Sequence, residues 1–117
     1  MRFNLVCRGS FWDSAKDVIK HFPNAKSDIY DFLTSLSARP GSGDPVPGYV
    51  GKIFKDRWAL KSYKIGAPGG LRVYYYFQGQ LLVPFFIYTK KQFADAPKEL
   101  ITRLVKDIEN DLIPPES

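Results

Sequence analysis

The sequence predicts a single α+β domain, in which helices pack against a small, antiparallel-dominated sheet of four to five strands. Apolar residues recur at helical spacing in two stretches near the N-terminus and in one near the C-terminus. Between them, strand-like segments are separated by Gly- and Pro-rich turns. A chain of 117 residues with 44% hydrophobic residues can bury a core without disulfides or metal, so we expect one domain over residues 1–117.

Two helices are expected to form an N-terminal hairpin after a short strand over residues 2–8. Ser10 or Asp13 can cap the first helix, and Pro23 either ends it or starts the next helix. Its apolar face consists of Phe11, Ala15, Val18 and Phe22. The second helix runs to about Ser37, and its apolar face consists of Ala25, Ile29, Phe32 and Leu36. Both faces must pack on another layer of the structure.

The middle of the chain is predicted to form the sheet. Residues 39–48 hold three Pro and three Gly and are expected to be a loop. Strands are then predicted over residues 49–54, 57–65, 70–77 and 81–88, with Gln78-Gly79 as a hairpin turn. Pro84 removes a hydrogen-bond donor from the last strand, which predicts a bulge or a sheet edge there.

A C-terminal helix is predicted after the sheet. Asp95 can cap it, Pro97 fits its first turn, and Pro114-Pro115 end it before a short tail over residues 114–117. Its apolar face consists of Ile101, Leu104, Val105, Ile108 and Leu112. The predicted element order is therefore β-α-α-β-β-β-β-α.

Positive charge is concentrated in the predicted sheet. Residues 49–91 contain eight basic residues and one acid, a formal charge of +7, whereas the whole chain carries +5. Alternation places Arg72, Tyr74 and Tyr76 on one strand face and Tyr75 on the other, and it places Arg57, Lys61 and Tyr63 together in the preceding strand. We expect an apolar face under the helices and a basic, Tyr-bearing face toward solvent or a ligand. Such a face suits phosphates and unstacked bases.

Composition argues against several other classes of protein. One cysteine, Cys7, allows no internal disulfide, and one histidine, His21, leaves too few soft ligands for a zinc site. The N-terminal segment lacks the apolar region of a signal peptide, and no apolar run reaches the length of a membrane helix. We therefore expect a soluble, cytoplasmic protein.

Three segments carry a resemblance to RelE/HigB-type toxins. Gly69-Gly70-Leu71-Arg72-Val73-Tyr74-Tyr75-Tyr76 resembles the GG-x-R-V-I-Y-Y strand of that family. Phe86-Ile87-Tyr88-Thr89-Lys90-Lys91, followed by Pro97-x-Glu99-Leu100, resembles its strand ending in an aromatic residue and a Lys doublet and then its last helix. Upstream, Trp58-Ala59-Leu60-Lys61 and the element order also agree. The sequence departs from the pattern in its long 39–48 loop, in Pro84, in the acids that end its last helix and in lacking a His near the site.

The resemblance implies a RelE-like fold and the toxin role of the RelE/ParE superfamily in bacterial type II toxin–antitoxin systems. The implied activity is metal-independent cleavage of mRNA on the ribosome, without a cofactor, which inhibits translation. The implied partners are mRNA, the ribosome and a cognate antitoxin in an oligomeric complex, with no membrane. Two alternatives remain open: a ParE-like gyrase inhibitor, and an inactive module that binds RNA or a partner.

RNA cleavage by transesterification needs a base for the 2′-hydroxyl, an acid for the leaving 5′-oxygen and cations around the phosphate. Arg72 offers a bidentate fork to phosphate oxygens. Lys61 or Lys64 becomes a base if neighbouring cations favour its neutral form. The expected catalytic residues are Arg72, Lys61, Lys64 and Tyr88, and the expected RNA-binding residues are Arg57, Tyr74, Tyr76, Lys90 and Lys91. Without the resemblance, Arg72 is more simply a solvated or ion-paired residue.

Overall fold

Residues 3–112, except for the side chain of Leu112, are described by the computed structural model, and they form three helices and a five-stranded mixed sheet. The strands are β1 (Asn4–Leu5), β2 (Asp44–Pro45), β3 (Ile53–Trp58), β4 (Leu71–Gln78) and β5 (Leu81–Thr89). The helices are α1 (Gly9–His21), α2 (Lys26–Ala38) and α3 (Lys98–Leu112). The strand order is β1-β5-β4-β3-β2, with β1 and β5 parallel and the other pairs antiparallel. The α+β class is thus confirmed.

The helical hairpin covers one face of the sheet, as its periodicity predicts. Phe11 and Val18 of α1 and Phe32 of α2 are buried against Val73 and Tyr75 of β4. We call this side of the sheet the apolar face. The predicted caps of α1 are wrong, because the helix begins at Gly9 without a side-chain cap. The Ser10 hydroxyl instead donates to the Phe85 carbonyl at 2.6 Å and ties α1 to β5.

The opposite side of the sheet, which we call the mixed face, is covered in part by α3. Ile101, Val105 and Ile108 of α3 belong to a second buried cluster that includes Tyr74 and Tyr76. These tyrosines are 5% and 1% exposed, so of the two predicted alternatives, solvent or a ligand, the solvent one is wrong for them. Strand alternation correctly predicts which residues share a face. It does not predict that the apolar side of α3 packs on the mixed face and buries these tyrosines.

Two of the predicted strands are wrong. Residues 47–51 form a turn region, in which Gly48, Val50 and Gly51 adopt positive φ, and β3 begins only at Ile53. After Trp58 the chain folds back through a Leu60–Ile65 bridge and a short 3-10 turn at Lys61–Tyr63. Lys61 and Tyr63 therefore do not share a strand face with Arg57.

Pro84 lies at a β-bulge, as one of its two predicted alternatives states. Tyr74 pairs with Phe86 while Tyr75 pairs with Pro84, so Phe85 is the extra residue. The site is not at a sheet edge, because β5 lies between β1 and β4. The bulge switches the parity of β5, which lets Val83 and Tyr88 both contribute to the mixed-face cluster.

The remaining boundaries differ by a few residues. The first strand covers only Asn4–Leu5, and the β4–β5 turn is at Gly79-Gln80 rather than Gln78-Gly79, since Gln78 pairs with Leu81. Asp95 does not cap α3, which begins three residues later at Lys98. The strand start at residue 2 and the predicted stop at Pro114-Pro115 with its tail lie outside the described residues. Among the helices of residues 3–112, none is long and apolar enough to cross a membrane.

Candidate nucleic-acid interface

Arg57, Arg72 and Tyr88 form one row across the mixed face. Arg57 on β3 pairs with Arg72 on β4, and Arg72 pairs with Tyr88 on β5. Residues directly opposite on neighbouring strands point to the same side, with Cβ atoms about 4.5–5.5 Å apart. We call these three residues the arginine row. Two cations at adjacent positions repel each other unless an anion lies between or above them.

The Arg72 guanidinium is fixed by backbone carbonyls. It is 6% exposed and donates to the Gly70 carbonyl at 3.1 Å and to the Pro68 carbonyl at 2.5 Å. Gly70 is required there, since a Cβ at this position would lie 2.3 Å from the Trp58 carbonyl oxygen. Within residues 3–112, no Asp or Glu forms an ion pair with Arg72 or Arg57. The row therefore contains one guanidinium that is held in place, that of Arg72, next to the exposed guanidinium of Arg57.

Asp95 gathers three side-chain donors beside the arginine row. Its Oδ1 accepts hydrogen bonds from Lys55 Nζ at 3.2 Å, from the Tyr74 hydroxyl at 3.3 Å and from the Tyr88 hydroxyl at 3.4 Å. The Tyr74 and Tyr88 rings stack with centroids 6.2 Å apart. Lys55 Nζ also lies 5.6 Å from the centre of the Tyr74 ring. We call Lys55, Tyr74, Tyr88 and Asp95 the Asp95 cluster.

The pKa values of two members of the Asp95 cluster, Asp95 and Tyr74, are shifted from their usual values. The hydrogen bond from Lys55 is the main reason why the pKa of Asp95 lies below its usual value. Burial, together with the nearby Tyr88 and Asp95, raises the pKa of Tyr74. The cluster therefore presents an ionised carboxylate and a neutral Tyr74 hydroxyl.

Lys61 and Lys64 stand apart from the row. Both are exposed on the turn after Trp58, which is anchored to the α2 region: Ser62 N donates to Asp28 Oδ2 at 3.3 Å, and Asn24 N donates to the Tyr63 hydroxyl at 2.7 Å. The helix α2 packs on the apolar face. The structure thus provides no contact that joins either lysine to the arginine row.

Lys90 and Lys91 lie at the same end of the sheet as the row. Both are exposed in the turn that follows Thr89, whose strand partner Leu71 is next to Arg72. Gln92 closes this turn, because its Oε1 accepts from Thr89 N at 2.9 Å and its own N–H donates to the Thr89 carbonyl at 3.0 Å. The lysine pair can therefore contact a phosphate next to one held by the row.

Tyr76 offers no ring face to a base in this structure. Its ring is buried in the α3 cluster, and its hydroxyl donates to Gln78 Oε1. Burial, and secondly the Glu109 carboxylate, raises the pKa of Tyr76. Tyr74 lines a cleft of about 260 Å³, whereas Tyr76 lines a smaller one of about 160 Å³.

The sequence-based prediction missed Lys55 and Asp95. Lys55 shares the face of Arg57, two residues along β3, but the wrongly placed strands hid this relation. Asp95 has a weak signal of its own, because no acid occurs between Asp56 and Asp95 in the sequence. An isolated carboxylate directly after a strongly basic segment is a candidate for pairing with it.

Searches against protein-family models and against curated proteins returned no match for this chain. Among the described residues, no group of three or more His, Cys, Asp or Glu side chains is arranged to hold a metal ion. The chemistry available at the site is therefore that of the arginine row, the Asp95 cluster and the lysine pair.

Proposed function

We propose that this chain is a RelE/HigB-type toxin of the RelE/ParE superfamily, with a RelE-like fold, and that it cleaves mRNA on the ribosome without a metal ion. The observation that supports the proposal is the arginine row. The guanidinium groups of Arg57 and Arg72 lie at opposite positions of β3 and β4, with no carboxylate ion pair from the described residues. The strand β4 is the one whose sequence carries the family resemblance. Such a pair suits one phosphate diester.

Arg72 would hold the scissile phosphate. Its hydrogen bonds to Gly70 and Pro68 fix the plane of the guanidinium and leave other N–H groups for phosphate oxygens. Arg57 is exposed across the strand and adds a second charge. Because negative charge on these oxygens grows in the pentacoordinate transition state, fixed cations stabilise that state more than the bound substrate.

Tyr88 would supply the proton for the leaving 5′-oxygen. It is the third member of the row, and its hydroxyl is held by Asp95. The group that accepts the 2′-hydroxyl proton would come from outside the row. Lys90 and Lys91 lie at the correct end of the sheet, whereas Lys61 and Lys64 would require movement of the turn anchored to α2.

The position of Lys61 and Lys64 also favours a second candidate function, an RNA-binding module without catalysis. In that case the arginine row and the lysine pair bind the phosphate backbone, and no group removes the 2′-hydroxyl proton. A ParE-like gyrase inhibitor is the remaining alternative, and it has no need of the arginine row.

The test is induced expression in a bacterial host, with growth and the 5′ ends of cellular mRNA as readouts. We expect arrest and new mRNA ends for the wild type, neither for Arg72→Ala, and weak activity for Arg72→Lys, which keeps the charge but loses the fork. Arg39→Ala, at an exposed arginine after α2, is the matched control and should behave as the wild type.

Three results would contradict parts of the proposal. Growth arrest with intact mRNA would contradict mRNA cleavage and would support a ParE-like gyrase inhibitor instead. Salt-dependent RNA binding without cleavage would replace the proposal with the binding module. A folded Arg72→Ala protein that still cleaves mRNA would remove Arg72 from the site. Arg57→Ala provides an independent check, because Arg57 is exposed and its loss leaves the core untouched.

A further inference from the structure

A cleft of about 260 Å³ opens beside the Asp95 cluster. It lies between the segment before β3 and the start of α3, and its lining includes Val46, Pro47, Tyr49, Tyr74, Asp95 and Lys98. We call it the side cleft. Its volume lies just below the range of about 300–1,000 Å³ that is typical of drug-sized ligands, which suits one flat heterocycle.

The walls of the side cleft are largely apolar, and polar contacts hold two of its aromatic side chains. Val46 and Pro47 line one side, and Tyr49 is held in place because its hydroxyl lies 2.7 Å from Thr102 Oγ1 on α3. Tyr74 is fixed by its hydrogen bond to Asp95. Aromatic and apolar walls of this kind stack on unpaired bases.

One carboxylate oxygen of Asp95, a residue that lines the side cleft, accepts no hydrogen bond from the described residues. All hydrogen bonds to Asp95 from Lys55, Tyr74, Tyr88 and its own neighbour Ala96 N end on Oδ1. Its Oδ2 accepts no hydrogen bond from the described residues, and 71% of the side chain is exposed. An acceptor without a donor therefore stands at the rim of an apolar cleft.

The side cleft is one step away from the arginine row. Lys55 and Tyr74 lie two residues along their strands from Arg57 and Arg72, a distance of about 7 Å. A phosphate held by the row would therefore place a base of the adjoining nucleotide within reach of the cleft.

We propose that the side cleft binds a single unpaired nucleobase next to the phosphate held by the arginine row, and that Asp95 Oδ2 selects bases carrying an exocyclic amine. This inference rests on the proposed function. The cytosine 4-amino group donates to a carboxylate, a pairing that is known from base recognition. Uracil presents a carbonyl oxygen at that position, which would face the carboxylate without a proton between them.

The test compares two single-stranded oligonucleotides of equal length, one all-cytidine and one all-uridine, both 2′-O-methylated so that they cannot be cleaved. The measurement is the dissociation constant at one salt concentration. We expect the wild type to bind the cytidine strand about tenfold more tightly, near the lower end of the discrimination given by one good base contact. We expect Asp95→Asn to bring the ratio close to one, because an amide can also donate to a carbonyl.

Asp107→Asn is the matched control, since it removes the same charge from an exposed position on α3. It should keep the wild-type ratio. A purely structural role of Asp95 would weaken binding of both strands equally and leave the ratio unchanged, which would overturn the inference. Equal affinities in the wild type would also overturn it while leaving the arginine row intact. Absence of binding to either strand would overturn both the inference and the proposed function.

Discussion

The two faces of the sheet use buried aromatic residues in different ways. On the apolar face, Tyr75 stacks on Phe54 with an interplanar angle of 16°, and its hydroxyl accepts from Gly43 N at 3.2 Å. On the mixed face, the hydroxyls of Tyr74 and Tyr88 converge on a largely exposed carboxylate. The same residue type thus closes the core on one side and carries polar groups to the surface on the other.

This difference indicates how the fold separates stability from function. The helices α1 and α2 cover the apolar face mainly with apolar side chains, and their two buried polar side chains, Ser14 and Asp28, accept hydrogen bonds from backbone N–H groups. The helix α3 covers the mixed face in part and leaves the arginine row and the side cleft at one end. Substitutions of buried residues on the apolar face should change stability alone, whereas substitutions of buried residues on the mixed face should change stability and RNA binding together.

The largest expected effect is on the apolar face. Phe11→Ala should lower the free energy of unfolding by about 3–5 kcal/mol, because a fully buried aromatic side chain is removed and a cavity remains. Urea denaturation measures the change. Trp12→Ala is the control at the next position, where the side chain is 37% exposed, and it should cost clearly less. Equal costs would mean that α1 does not pack as described.

The same substitution, Ile to Ala, can be made on both faces of the sheet to compare their effects on stability and on RNA binding. Ile29 and Ile101 are each 2% exposed, Ile29 on the apolar face and Ile101 beside the side cleft. Each change to Ala should cost about 2–5 kcal/mol by urea denaturation. Only Ile101→Ala should also weaken RNA binding of the folded protein, since it loosens the cleft. If both variants bind RNA equally well, the mixed face does not couple stability to binding.

A smaller effect is expected at the exposed arginine. Arg57→Gln should change the free energy of unfolding by no more than about 0.5 kcal/mol. The slope of log affinity against log salt for single-stranded RNA should become shallower by about 0.7, the value for one lost phosphate contact. Titration at several salt concentrations measures this slope, with Arg39→Gln as the control that should leave it unchanged.

The smallest effect concerns the pH dependence of the Asp95 cluster. Because the pKa of Asp95 is lowered in the folded protein, its contribution to stability is present above the unfolded pKa and is lost as the pH falls through the folded pKa. Carboxyl NMR should place the midpoint below the reference value of 3.8. Lys55→Gln should move it upward. If the titration midpoint of Asp95 is the same in Lys55→Gln as in the wild type, the ion pair with Lys55 does not lower the pKa of Asp95.

The sequence predicts those parts of the fold that depend on local periodicity. The buried faces of α1 and α2, the strand face shared by Arg72 and Tyr74, and the irregularity at Pro84 all follow from spacing or from a missing N–H. The turn at residues 61–63 could not be predicted in this way, because it depends on Lys64 in a left-handed conformation and on the bond from Ser62 to Asp28.

The candidate site was predictable to a smaller degree. Arg72 and Tyr88 carry a resemblance in their own strands, so they could be named before their pairing was known. Asp95 lies beyond the turn after β5. The periodicity of apolar residues does not predict in which direction the chain continues after such a turn. Strand alternation also cannot tell which helix covers which face, and for this reason the burial of Tyr74 and Tyr76 was missed.

The parallel pairing of β1 with β5 has a consequence for synthesis of the chain. Asn4 is synthesised well before its strand partner, Leu81. At about 5–20 residues per second, β1 waits for several seconds before its partner exists. Most of β3 and β4 must be in place before that time, so the N-terminal strand can join the sheet only late. Assembly of the arginine row, which needs Tyr88, comes later still, and an incomplete chain cannot carry the site.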